Sequence, residues 1–493
     1  MRYISTRNKE RLVSASEAII QGISTDGGLF VPEKLPKIDL ENLKGLDYKS
    51  LCFEILKEFL TDFKEDDLKY CIQNAYNEKF ETEEIAPLAE VGGEFLLELY
   101  HGPTLAFKDM ALSILPYLLK AALKNQDENK EVVILTATSG DTGKAALEGF
   151  ANVEGIKIIV FFPEDGVSEI QKRQMKTQEG DNTFVVGING NFDDAQNGVK
   201  KLFNDKSFVE RLLDNNYILS SANSINIGRL LPQIVYYFHS YLILLESGKI
   251  ADGERINIGV PTGNFGNILA AFYAKEMGLP VNKLICASNE NNVLTDFFNR
   301  GVYDRRRELI LTSSPSMDIL ISSNLERLLF HLMNGDDDGV AKMMKELNEK
   351  GFYNIGELDI NQFYGVNADE REVERTIKGV FKDYGYLMDT HTAVAFNACE
   401  KYKKKFKDDS ITVIASTASP FKFGRSVAKA LNLEIKDRDE FEIIQLLARE
   451  SNLDIPAAIE NLMDKEILHK NNCYKDQMKD MVEKFLGEVE KND

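Results

Sequence analysis

Apolar positions along the chain alternate between two periods. Unbroken apolar runs at 131–138 (EVVILTAT), 156–163 (IKIIVFFP), 182–188 (NTFVVGI) and 217–221 (YILSS) predict strands buried on both faces. Between them, apolar residues recur at spacings of three and four over 141–153, 167–174, 192–205 and 225–247, which predicts helices. A second series starts at 255: INIGV, the helix ILAAFYAKEMG, the strand KLICAS, mainly helical sequence over 316–350, the helix TAVAFNACEKYKKKF and the strand ITVIAS. EFLLELY, before residue 101, reads as one more strand. Strands alternating with helices predict an α/β fold with two open, mostly parallel sheet domains covered by helices. LCFEILKEFL and the stretch 67–80 add a helical N-terminal region, and the charged tail reads as helical. The expected division is a helical N-terminal domain over 1–95, a large α/β domain over 96–130 and 235–430, a small α/β domain over 131–234, and a C-terminal helical segment over 431–493. The run Asp336-Asp337-Asp338 reads as a solvated turn, not a metal site.

Composition narrows the function. The 493 residues exceed one ordinary domain, and 43% hydrophobic with 28% charged residues suits a globular protein. A net charge of −20 argues against nucleic acid, whose phosphates require basic patches. Cys52, Cys71, Cys286, Cys399 and Cys473 are odd in number and scattered, which favours neither a disulfide frame nor a metal site and fits a reducing compartment. MRYISTRNKE has no apolar signal core, and no apolar run reaches membrane-spanning length. A soluble cytoplasmic protein, monomer or homodimer, acting on a small molecule is expected.

Four loops carry candidate chemistry. In HGPTLAFKDMA, Lys108 stands at the first turn of a helix, where the dipole disfavours a cation. Burial beside Leu105, Ala106 and Phe107 would lower its pKa and leave an amine able to form a Schiff base; read alone, it also fits a lysine reaching to solvent. Thr262-Gly263-Asn264-Phe265-Gly266-Asn267 follows a strand and opens a helix, so its backbone N–H groups suit a phosphate or simply a turn. Ser139-Gly140-Asp141-Thr142-Gly143 has the same placement and suits an anion or an N-cap. Ser416-Thr417-Ala418-Ser419-Pro420 ends a strand, where a hydroxyl can face a crevice, and Ser224-Ile225-Asn226-Ile227-Gly228-Arg229 offers an arginine to an anion. A Schiff-base lysine, a phosphate cup and a hydroxyl together suggest pyridoxal phosphate.

The lysine stretch, TSGDTG, SANSINIGRLLPQ, GVPTGNFGN, SSPSMDIL, DTHTAVA, STASPFKF and the opening STDGGLFVPEKLP together resemble, in order, the blocks of the threonine synthase family, in its bacterial and fungal branch of fold-type-II pyridoxal-phosphate enzymes. The resemblance covers the chain to about residue 425. It implies that Lys108 bears the cofactor, that Gly263, Asn264, Phe265, Gly266 and Asn267 line its phosphate, and that Thr417 meets the pyridine nitrogen. It places Ser139, Asp141 and Thr142 at the substrate carboxylate and Ser224, Asn226 and Arg229 at the substrate phosphate. The implied reaction converts O-phospho-L-homoserine and water to L-threonine and phosphate. Lys144 and Ser419 depart from the family pattern.

Overall fold

The β-branched runs become strands, and among the described residues the strands sort into four sheets. The computed structural model describes residues 1–138, 140–164 and 167–487. The strands are β1 (Tyr3–Ser5), β2 (Asn8–Val13), β3 (Phe30–Pro32), β4 (Leu88–Val91), β5 (Glu94–Glu98), β6 (Glu131–Ala137), β7 (Ile156–Pro163), β8 (Thr183–Ile188), β9 (Tyr217–Ser220), β10 (Ile256–Pro261), β11 (Val281–Ser288), β12 (Val302–Asp304), β13 (Phe352–Asn354), β14 (Phe363–Asn367), β15 (Thr412–Ser416) and β16 (Asn471–Cys473). The larger sheet runs β14-β11-β10-β15-β5-β4, with only β4 antiparallel. The smaller, β16-β8-β7-β6-β9, is wholly parallel. Every residue of β10 and β15 is buried, as strands covered by helices on both faces must be. The α/β expectation holds.

Four expectations need correction. The N-terminal region is not purely helical: β1, β2 and β3 form an antiparallel sheet beside the helices Tyr48–Phe59 and Glu65–Ala75, and β4 and β5 already belong to the larger sheet. The tail is not purely helical either, because β16 pairs with β8, Asn472 opposite Gly187. The stretch 225–247 is two helices, Ile227–Leu230 and Pro232–Glu246, because Pro232 has no N–H to continue the first. The acidic run lies in part on a helix: Asp336 caps Asp337–Lys350, its carboxylate accepting from the Gly339 N–H.

The parallel order decides where chemistry can occur. β5, β10 and β15 run side by side, so their carboxyl ends open on one edge and deliver the loops after Glu98, Pro261 and Ser416 together. β6 and β9 do the same for the loops after Ala137 and Ser220. Ligand crevices form at such edges.

Candidate active site

The lysine loop is tied to the turn after β15. The Phe107 N–H donates to the Thr417 carbonyl (2.9 Å), and the Ser419 N–H donates to the Leu105 carbonyl (3.1 Å). Leu105 takes a left-handed backbone at φ 60°, a strain this pairing sustains. Asp109 folds back to accept from the Thr104 N–H (2.8 Å) and Oγ1 (2.6 Å), and a Cβ on Gly102 would lie 2.5 Å from its Cβ. Lys108 thus stands just before the short helix Asp109–Leu112, as the sequence predicts. Its Nζ donates to Asp141 Oδ2 (3.2 Å) and Ser316 Oγ (3.1 Å). Burial lowers its pKa; Asp141 opposes the shift, while the nearby cations Lys422 and Arg229 add to it.

Asp141 is the hub of this pocket. It begins the helix Asp141–Phe150, and Lys108, Lys422 (3.1 Å) and Gln171 Nε2 (2.7 Å) converge on its oxygens. Burial pushes its carboxyl up, but the two ammonium groups outweigh burial and hold it well below the usual carboxylate range. Asp141 is therefore committed to these partners and does not face an anion. Ser139, expected beside it, lies outside the described residues, and Thr142 is half-buried on the same first turn.

The glycine loop forms a cup. Ser322 Oγ donates to the Gly263 carbonyl (2.6 Å), and the Asn324 N–H and Nδ2 both donate to the Asn264 carbonyl (3.1 and 2.9 Å). Phe265 adopts φ 65° and stacks at 5.8 Å on Phe298, which turns the chain into the helix Gly266–Met277. A Cβ on Gly263 would lie 2.5 Å from the Ser316 carbonyl, so only glycine fits. Asn267 Oδ1 accepts from the Tyr236 and Tyr237 hydroxyls, while its buried Nδ2 has no partner. That orphan donor at a helix N-terminus fits a phosphate.

Arg229 is buried without a carboxylate partner among the described residues. Its Nη1 donates to the Ala222 carbonyl (2.9 Å), its Nε is unpartnered, and burial lowers its pKa to about 10. It suits a second anion. Ser224 is half-buried near it in the chain. Asn226, grouped with them from the sequence, is instead a cap: Oδ1 accepts from the Gly228 N–H (2.9 Å) and Nδ2 donates to the Ile19 carbonyl (2.9 Å). Thr417 is buried, and its hydroxyl has no partner among the described residues.

Several members are absent from the sequence reading. His391 Nε2 accepts from the Ser316 N–H (3.2 Å) and Nδ1 meets Asp389 Oδ2 (2.7 Å), so the ring proton lies toward Asp389. Arg327, fully buried, donates from Nε to the Phe30 carbonyl (2.9 Å) and also to Asn324 Oδ1 and the Ile225 carbonyl, tying the cup to the Arg229 loop. Lys422, at 3% exposure, is equally hidden. Their motifs were legible as blocks, but nothing local marks the individual residues.

The chain is similar to known proteins over most of its length. Family models for the threonine synthase N terminus match residues 2–76, for pyridoxal-phosphate dependent enzymes 81–417, and for the threonine synthase C-terminal part 392–477. Threonine synthase of Pseudomonas aeruginosa is 39% identical over 87% of this chain and 90% of its own. Human threonine synthase-like 1 is 40% identical over 94% of this chain and 65% of its own. The chain spans 64–68% of the length of the threonine synthase-like 1 relatives it matches. The pyridoxal-phosphate-bound threonine synthase of Brucella melitensis superposes with a TM-score of 0.88 at 34% identity, covering 98% of this chain and 99% of that one. The yeast threonine synthase does so with the same score and identity, over 98% of each chain. The chain belongs to the threonine synthase family of pyridoxal-phosphate-dependent enzymes.

Proposed function

We propose that this chain is a threonine synthase, which eliminates the γ-phosphate of O-phospho-L-homoserine and adds water at Cβ to give L-threonine and phosphate. One observation carries the reading: Lys108 Nζ donates to Ser316 Oγ, whose carbonyl packs on Gly263 of the glycine cup, and two anion donors are unpartnered, Asn267 Nδ2 in that cup and the Nε of Arg229, a cation near enough to lower the Lys108 pKa. One donor suits the cofactor phosphate and the other the substrate phosphate. Lys108 would bear pyridoxal phosphate, with Gly263, Asn264, Phe265, Gly266 and Asn267 around its phosphate and the Thr417 hydroxyl at its ring nitrogen. When bound, the cofactor supplies an electron sink for carbanions next to the substrate nitrogen. The Lys108 amine, once released, takes the Cα and Cβ protons, and one proton returns to Cγ after phosphate leaves and one to Cα after water has added at Cβ. Arg229, with Ser224 beside it, meets the charge that grows on the leaving phosphate. Thr142, on the first turn of the helix Asp141–Phe150, would hold the substrate carboxylate together with Ser139 of the same sequence motif.

The units around the two parallel sheets are read as a large cofactor-binding domain and a small domain that closes over the substrate. No described helix is long and apolar enough to cross a membrane, and the five cysteines are free and buried, which supports a reducing cytoplasm. A monomer or homodimer is expected by sedimentation. The deciding experiment incubates the purified protein with O-phospho-L-homoserine and measures threonine and 2-oxobutyrate. Threonine in step with phosphate is expected. 2-Oxobutyrate without threonine would make the chain a phospholyase. No turnover and no visible cofactor band would make it a binding protein.

A further inference from the structure

Lys422 is the buried charge that the proposed reaction leaves without a task. Its side chain is fully enclosed, Nζ donates to the Thr104 carbonyl (2.6 Å), and it pairs with Asp141 Oδ1 at 3.1 Å. The other oxygen of the same carboxylate faces Lys108 at 3.2 Å. Two lysines therefore share one carboxylate in a row: Lys422, Asp141, Lys108. A lone Asp141 beside Lys108 would favour the ammonium form and suppress the nucleophile. The second ammonium offsets that pull, and its anchorage on the Thr104 carbonyl, one turn upstream of Lys108, stops it from moving away.

We propose that Lys422 is a positioning residue whose fixed positive charge keeps the Lys108 amine deprotonated enough to bond the cofactor and to act as a base. This rests on Lys108 being the cofactor lysine. Among the described residues, the charged groups that act on Lys108 are Asp141 from the helix Asp141–Phe150, Lys422 from the turn after β15 and Arg229 from the helix Ile227–Leu230; Asp109, next in the chain, is turned back to Thr104, and His391 acts on Asp141 from the helix Thr390–Phe406. Of the cations in this set, only Lys422 shares the carboxylate that Lys108 uses. The alternative role is mechanical, a tie between the turn after β15 and the Thr104 carbonyl.

Two uncharged substitutions separate charge from tie. Lys422→Met removes the charge and the hydrogen bond. Lys422→Gln removes the charge but keeps a donor for the Thr104 carbonyl. The full-length protein, stripped of cofactor, is reloaded with pyridoxal phosphate across a pH series, and the rise of the visible band is timed. Both variants should shift the midpoint of the rate profile upward by about one pH unit, which slows loading at neutral pH about tenfold. A wild-type profile in either folded variant, or recovery in Lys422→Gln alone, would overturn the proposal in favour of the tie. Failure of both variants to fold would also assign Lys422 to stability. Borohydride reduction of the wild-type holoenzyme followed by peptide mapping separates the two readings. A label on a lysine other than Lys108 sinks the cofactor assignment itself, whereas a label on Lys108 with unshifted profiles sinks only the role of Lys422.

Discussion

At the scale of single residues, the site depends on buried donors with nothing to donate to. Asn267 is tethered through Oδ1 while Nδ2 points free, so the cofactor phosphate should complete it. Asn267→Ala is expected to weaken pyridoxal phosphate binding by about 1–3 kcal/mol, roughly 5- to 150-fold, in a spectroscopic titration. An unchanged Kd would remove Asn267 from the cup. His101 supplies a pH dependence of a different kind. Burial lowers its pKa, but Glu81 and Glu98 outweigh burial and raise it to about 9. Its contribution to stability is complete below the unfolded value of about 6.5 and is lost as pH rises through about 9. His101→Gln should therefore flatten the decline in melting temperature between those limits; melting curves that fall in parallel would show that His101 does not drive it. Lys108, the glycine cup and Thr417 were legible in the sequence because each stands at a strand end beside a local signature of glycine or hydroxyl. Lys422, Ser316 and His391 were not, because what makes them matter is a partner far away in the chain, and each looks like an ordinary turn or helix residue.

At the scale of elements, two helices set the spacing of the pocket. Asp109–Leu112 follows Lys108, and Asp141–Phe150 starts with its partner. They approach at Gly149, where a Cβ would lie 2.1 Å from the Leu112 carbonyl oxygen, a backbone atom that cannot turn aside. Gly149→Ala should cost about 1–3 kcal/mol in denaturant unfolding, even though alanine is the better helix former. Because the displaced helix carries Asp141, cofactor loading should slow as well; normal stability would show that the helices adjust freely. Long strands and helices with clear periods were legible. The short ones were not: β16 is Asn-Asn-Cys, a poor strand former that pairs only because β8 offers an edge. β1 and β3, three residues each, likewise draw their structure from each other.

At the scale of the whole molecule, neither large sheet is continuous in the chain. β5 lies beside β15, and the smaller sheet is edged by β16 from the far end of the tail. A chain ending at 464 loses β16 and the helix Met478–Phe485, whose Met478 and Val482 are buried against the smaller sheet's own apolar layer. Such a chain should melt at lower temperature and scatter light on warming, because β8 becomes a bare edge. Soluble truncated protein with wild-type melting would rule out that role. The covering of β8 also has a consequence in time. During synthesis, the strands β6 to β9 are complete long before β16 exists, and domains fold as they emerge. From the completion of β8 until β16 is made, the nascent chain therefore carries an unpaired strand edge that β16 alone closes. Slow translation of that tail, or a stop within it, would hand that edge to a neighbouring nascent chain or to a chaperone.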